Sequence, residues 1–191
     1  IAGRDRLAAT YKAHLMEVAK LAHRDAQVGR ERTAYLAAAA YYHEFSETFP
    51  TDPAAGEALF LEGEALTDAN EPKRAQVAYQ RVIHRHRESA HAADAGYAAI
   101  LAVDAQLATA AASQTALLRR TKIDAQIEYA TLFPEAAHAA EAQVNAADAL
   151  FEMHEYDEAS GLAQGLLDRG ASLRREIARS GNPHDASPRR P

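Results

Sequence analysis

Two stretches of the chain, FPTDPAAGEALF at residues 49–60 and FPEAAHAAEAQV at 133–144, follow one pattern. Each opens Phe-Pro, runs through small residues, and then places an acid followed by an alanine at matching offsets: Glu57 and Ala58 in one, Glu141 and Ala142 in the other. A third copy, HRESAHAADAGY at 86–97, keeps Asp94 and Ala95 at those offsets but carries Arg87 where the others have Pro50 and Pro134. The copies begin 37 and 47 residues apart. Periods of that size belong to arrays of helix pairs, in which each unit buries its apolar face against the next.

The residues after each phrase repeat as well. Aligned without gaps, Gly63 falls on Ala147, Leu66 on Leu150, Ala75 on Ala159, Val82 on Leu166 and Ile83 on Leu167. Polar turn residues occupy 68–73 and 152–157. The unit therefore reads as helix A, a short turn, helix B, and then the phrase that starts the next helix A. Proline ends helix B because its ring and missing N–H cannot continue a helix. Asp52 or Ser89 is positioned to cap the helix that follows by accepting from its unpaired amides.

Composition points the same way. The chain has 191 residues and is 48% hydrophobic, yet only 7% aromatic and without Trp, so alanine supplies much of the apolar count. Alanine has the highest helix propensity and lets helices approach closely. No segment alternates with period two, and the expected fold class is all-α. The net charge of −6 argues against a nucleic-acid partner. No apolar run approaches the roughly 18–20 residues of a membrane span. The absence of cysteine excludes disulfides and thiolate chemistry and suits a periplasm, and equally a cytosol. The opening IAGRDRL, without an initiator Met, reads as a mature form or as an excised piece of something longer.

At Gly63, Leu66, Ala75, Tyr79, Val82 and the proline position Arg87, and again at Ala147, Leu150, Ala159, Ala163, Leu166 and Ala171, the chain resembles the tetratricopeptide repeat family. The longer unit with its FPxDxxAxxA phrase is similar to the subtype of bacterial cell-envelope proteins. Examples are the periplasmic Tol–Pal-associated cell-division coordinator and the outer-membrane lipoprotein of the β-barrel assembly machinery. That resemblance implies a right-handed α-superhelical solenoid of about four helix pairs.

The expected organisation is a long N-terminal helix over 1–31, an array over 32–170 with boundaries near 50, 87 and 134, a capping helix over 171–181, and a disordered tail over 182–191. The unit beginning at His91 has ten extra residues, absorbed by long helices with a break near Ala110–Ser113 and Ser113 as N-cap. The first unit keeps only its helix B, with Ala38, Tyr42 and Phe45 at the expected offsets. Its helix A, about Arg4 to Val28, is too long to match, and Gly29 is the expected C-cap.

No P-loop, GxGxxG, GxSxG or zincin pattern occurs, and no enzyme, cofactor or metal site is expected. The nine histidines include His91 and His138 at one offset in successive units, which read as solvated helix-end residues. Glu62 and Glu64 read as ordinary helix-surface carboxylates. LLRRTK at 117–122 reads as a solvated helix end.

In the resembled family, partners lie in a groove lined by helix A. Carried over by alignment, the resemblance places Glu57, Phe60, Glu64 and Asp68 there from the second unit, with Thr67. Asp94, Tyr97 and Asp104 come from the third, with Leu101 and Ala105, and Glu141, Asp148, Phe151 and Glu152 from the fourth, with Val144. No Lys or Arg is among them, which disfavours the family's clamp for C-terminal carboxylates. An acidic groove floored by Phe60, Tyr97 and Phe151 suits a basic protein or peptide with one or two apolar anchors. The leading expectation is a non-catalytic scaffold in a periplasmic or envelope-associated assembly. The alternatives are the helical superhelix of a larger enzyme such as a lytic transglycosylase, and the sensor array of a cytoplasmic regulator.

Overall fold

The computed structural model describes residues 2–180. They form eight α-helices and, among the described residues, no strand: α1 (Ala2–Gly29), α2 (Arg32–Thr48), α3 (Ala55–Asp68), α4 (Pro72–Arg85), α5 (Ala92–Ala108), α6 (Ala112–Leu132), α7 (Ala139–Glu152) and α8 (Tyr156–Ser180). Each helix packs on the one before it, so the chain is all-α, four hairpins laid one after another. Links of two or three residues within the hairpins force neighbouring helices antiparallel.

Between hairpins the link is six residues long in all three cases, and its backbone closes the same hydrogen bonds each time. In the first, the amide of Phe49 donates to the carbonyl of Phe45, Asp52 to Phe49, Ala55 to Asp52 and Ala58 to Ala54. In the second the sequence is His86 to Val82, Ser89 to His86, Ala92 to Ser89 and Ala95 to His91. In the third it is Phe133 to Tyr129, Ala136 to Phe133, Ala139 to Ala136 and Ala142 to His138. Pro50, Arg87 and Pro134 all follow the C-cap, and none of the three supplies an amide to this pattern. Asp52 and Ser89 each accept from the amide two residues on, at 2.9 and 3.3 Å. They shape the lead-in turn, while the N-cap positions themselves are Ala54 and His91.

Three of the four hairpin tips use a left-handed residue. Arg30, Asn70 and His154 sit in the left-handed region, with φ of 53°, 56° and 65°. After α3, Glu71 N–H donates to Leu66 C=O and Asn70 N–H to Thr67 C=O; after α7, Glu155 donates to Leu150 and His154 to Phe151. This pair of bonds satisfies carbonyls that a helix end leaves free. After α1 the left-handed residue is Arg30, not the expected Gly29, and its N–H donates to Ala26 C=O.

The core lies between successive helices and is made largely of alanine, with Tyr42, Phe45, Leu59, Leu66, Val82, Val103, Ile123 and Leu150 as its fully buried large side chains. Small residues decide where rings can enter. A Cβ on Gly63 would lie 2.4 Å from the Tyr79 ring, and one on Gly96 would lie 2.7 Å from the Tyr129 ring. Tyr79 thus fills a slot that only glycine leaves open, and its hydroxyl lies 3.2 Å from Thr67 Oγ1.

Three sequence expectations need revision. The long helix α1 is no separate segment: Leu15, Ala19, His23 and Ala26 are buried, and Leu15 and Ala19 pack with Tyr42 and Phe45, making α1 the first helix of the first hairpin. Ser113 does not cap α6, because the break falls at 109–111 and the N-cap position is Ala111. No new helix starts at 171, since α8 runs unbroken through Gly170. The tail at 182–191 lies outside the described residues. The ten extra residues of the third unit are divided between its helices: α5 (17 residues) exceeds α3 (14) by three, and α6 (21) exceeds α4 (14) by seven.

Two measurements check this account. Gly63→Ala should lower unfolding free energy by about 1–3 kcal/mol through overpacking against Tyr79. Gly161→Ala, where an added methyl meets nothing within 4 Å, should raise it by about 0.5–1 kcal/mol. Denaturant titration of both variants reads the contrast. Secondly, His86 (φ −136°, ψ 47°) matches Phe49 (−125°, 57°) and Phe133 (−129°, 60°), which both precede proline. Arg87→Pro should therefore stabilise by about 0.4–1 kcal/mol, read as a raised Tm; a lowered Tm would show that the three turns are not equivalent.

Candidate functional site

The carboxylates assigned to helix A recur at 3- and 4-residue steps, which places them in one stripe per helix: Glu57, Phe60, Glu64 and Asp68 on α3, Asp94, Tyr97, Leu101 and Asp104 on α5, and Glu141, Val144, Asp148 and Phe151 on α7. One subset is linked by its charges. Glu64 is half-buried, and burial, then the charge of Asp68 and more weakly that of Asp94, raise its carboxyl above the usual glutamate range against the opposing pull of His91. The Tyr42 phenol beneath is pushed up to about 12, first by burial and then by Glu57 and Glu64. Tyr79 and Tyr129 are raised as well, burial first, with Glu64 and Asp68 contributing to one and Asp94 to the other. Among the described residues no Lys or Arg forms an ion pair with Glu64, Asp68 or Asp94.

Other members of the expected set have different surroundings. Glu57 pairs with Lys20 of α1 at 2.8 Å, and Asp104 with Lys122 of α6 at 2.6 Å. Glu141 lies 3.3 Å from His138. Asp148 and Phe151 border a cleft of about 460 Å3 between α7 and α8, where Phe151, 64% exposed, meets Tyr156 edge-on at 5.1 Å. Glu152 is exposed.

Phe60 and Tyr97 do not form an open floor. Phe60 stacks on His91 with centroids 4.7 Å apart and planes 9° apart, and Tyr97 on His138 at 4.0 Å and 9°. Each histidine is the last residue of a six-residue turn and lies over the aromatic of the preceding odd-numbered helix. These histidines are half-buried struts between units and not solvated helix ends.

Sequence reasoning also missed the contribution of α1. Lys20, His23 and Arg24 share a cleft of about 270 Å3 with Tyr42, Glu57 and Glu64. His23 is 5% exposed, its Nε2 has no hydrogen-bond partner, and Asp68 Oδ2 lies 3.9 Å away. Burial holds its imidazole below the usual histidine range, with Asp68 pulling the other way. The signal was present in the spacing: Leu15, Ala19, His23 and Ala26 recur as a buried helical stripe.

Glu62 is no surface carboxylate. It is 7% exposed on the floor of a cleft of about 420 Å3 between α2 and α4. Its Oε1 lies 3.1 Å from His43 Nδ1, and its unbonded Oε2 lies 4.0 Å from Arg81 Nη1. Burial raises this carboxyl while His43 and Arg81 oppose the shift. Arg81 also pairs with Glu47 and so ties α2, α3 and α4.

Among the described residues no group of three or more His, Asp or Glu side chains gathers as a metal site would require. No helix there is long and apolar enough to cross a membrane. Comparison with protein-family models, with curated proteins and with solved structures finds no match to this chain.

The raised Glu64 carboxyl gives a test with a definite sign. Its folded pKa exceeds the unfolded one, so its ionisation opposes folding as pH rises through that interval. Glu64→Gln should raise Tm at neutral pH by about 1–2 °C. The gain should shrink as pH falls and vanish below about pH 4, where the native side chain is itself protonated. A gain that persists in acid would place its origin in packing.

Proposed function

We propose that this chain is a non-catalytic protein-interaction scaffold of the tetratricopeptide type, a right-handed superhelical solenoid whose odd-numbered helices line a groove for a basic peptide. One observation supports the reading: half-buried Glu64 has its carboxyl raised by burial and by the charges of Asp68 and Asp94, from two successive odd-numbered helices, and among the described residues no Lys or Arg forms an ion pair with any of the three. A cationic side chain bound there would offset both their repulsion and the desolvation cost of the Glu64 carboxylate.

Apolar anchoring falls further along the same stripes. With Phe60 and Tyr97 covered by histidines, the open apolar positions are Leu101 (49% exposed), Val144 (45%) and Phe151 (64%). A segment with Lys or Arg at one end and a Leu or aromatic residue at the other fits that order. Resemblance to the envelope subtype makes a periplasmic or envelope-associated assembly the proposed setting.

The experiment is selection from a displayed peptide library, followed by fluorescence anisotropy on the tightest sequence. Glu64→Lys combined with Asp94→Lys should weaken binding about tenfold or more. Asp104→Asn, which alters a carboxylate already paired with Lys122, should change it less than about twofold. Selection of acidic sequences, or undiminished affinity in the double reversal, would sink the reading.

A further inference from the structure

Among the described residues, one face of α1 is left uncovered by the other helices. α3 lies between α2 and α4, α5 between α4 and α6, and α7 between α6 and α8, whereas α1 has an even-numbered helix, α2, on one side. On its uncovered side runs a stripe at alternating steps of four and three: Leu7, Tyr11, His14, Val18, Leu21, Asp25 and Val28. Leu7 is 70% exposed, Val28 83%, and Tyr11, Val18 and Leu21 between 43% and 48%. The Tyr11 hydroxyl donates to Glu44 of α2, which holds its ring at the edge of the stripe. The buried stripe of the same helix, Leu15, Ala19, His23 and Ala26, is separate from it. A 3.5-residue apolar repeat is the pattern by which two helices pack as a coiled coil, and a globular fold has no use for it on a solvent face.

The polar members of the stripe identify the partner. Consider a second α1 running antiparallel, with Val18 opposite Leu21 of the second copy. The layers are then Tyr11 on Val28, His14 on Asp25, Val18 on Leu21, and their symmetric equivalents. From Tyr11 to Val28 every apolar residue meets an apolar one and each histidine meets an aspartate, while Leu7 lies beyond the paired segment. At the flank, the exposed Glu17 approaches Arg24 of the second copy, and Arg24 its Glu17. A parallel pair in register instead sets His14 on His14 and Asp25 on Asp25, like on like. Polar residues at such layers fix register and orientation.

We propose that this stripe is a self-association surface, on which two copies of the chain pair antiparallel through α1. In this pairing the second α1 covers the exposed stripe, and the two arrays extend from a central two-fold axis. The contact is isologous, so it closes as a dimer and does not propagate.

Sedimentation equilibrium and light scattering of the 191-residue chain should show a dimer at micromolar concentration. Val18→Glu combined with Leu21→Glu should weaken association about 100-fold, with unchanged far-ultraviolet circular dichroism. Glu17→Arg and Arg24→Glu should each weaken it, and the two together should restore it, a pattern that misfolding cannot produce. Orientation is read by cross-linking, because the chain has no cysteine of its own. Tyr11→Cys mixed with Val28→Cys should form a disulfide. Val28→Cys alone should not, its two copies lying about 25 Å apart along the axis. A monomeric chain, a dimer that survives Val18→Glu with Leu21→Glu, or efficient cross-linking of Val28→Cys alone would each overturn the proposal.

Discussion

The six-residue turn between hairpins is the constraint on which the rest of the structure depends. Its four backbone hydrogen bonds run as a relay from the last turn of α2, α4 or α6, through the six linking residues, to the first amides of the odd-numbered helix that follows. Little freedom remains for side chains to set that junction. Residues at equal offsets from the turn therefore meet equivalent neighbours. Ala58, Ala95 and Ala142 are all buried, and His91 and His138, which close two of the turns, stack on Phe60 and Tyr97 in nearly identical geometry. The alanine-rich core depends on the same regularity, since helices that approach closely need a small residue at every crossing.

What could be read from the sequence was whatever the turn repeats. The phrase located all three junctions, even with Arg87 in the proline position, because the turn needs no amide there and does not require the ring. Departures came where a residue type admits two structures. Gly29 and Gly170 look like stops, yet α1 ends on a left-handed Arg30 and α8 continues through its glycine. Glycine inside a helix costs only about 1 kcal/mol, which packing or a long flanking helix can absorb. Ser113 looked like a cap for the same reason, its hydroxyl being one of several ways to satisfy a helix start.

The candidate site was legible in part. Alignment picks out Glu64, Asp68 and Asp94, whose charges bear on one another in the structure, because their offsets are fixed by the repeat. It could not show that Lys20 and Lys122 neutralise Glu57 and Asp104, since these lysines lie on helices that the aligned stripes leave out. Nor could it show that Phe60 and Tyr97 are covered, because the covering histidines lie 31 and 41 residues further along the chain. Glu62 and Glu64 are two residues apart on one helix and read alike, yet one lies beneath Arg81 and the other faces a like-charged set. Which face of α3 each residue occupies decides its chemistry.

The ten-residue insertion shows why such faces stay aligned along the array. The turns fix the start of α5 and the end of α6, so the added length collects at the hairpin tip, where Gln106 donates to Gln76 of α4 and Leu117 is 72% exposed. Seven residues in α6 are close to two helical turns, so its buried side, with Ile123, Gln126 and Tyr129, still reaches α5 and α7. The junction to α7 then repeats the other two. In an array whose contacts are between neighbours, an irregularity confined to a tip leaves the next unit unchanged. By the same logic, the outer stripe of α1 and the acidic set on α3 and α5 can be altered separately. Lys20, paired with Glu57, and His23, 3.9 Å from Asp68, are the charged contacts described between α1 and α3.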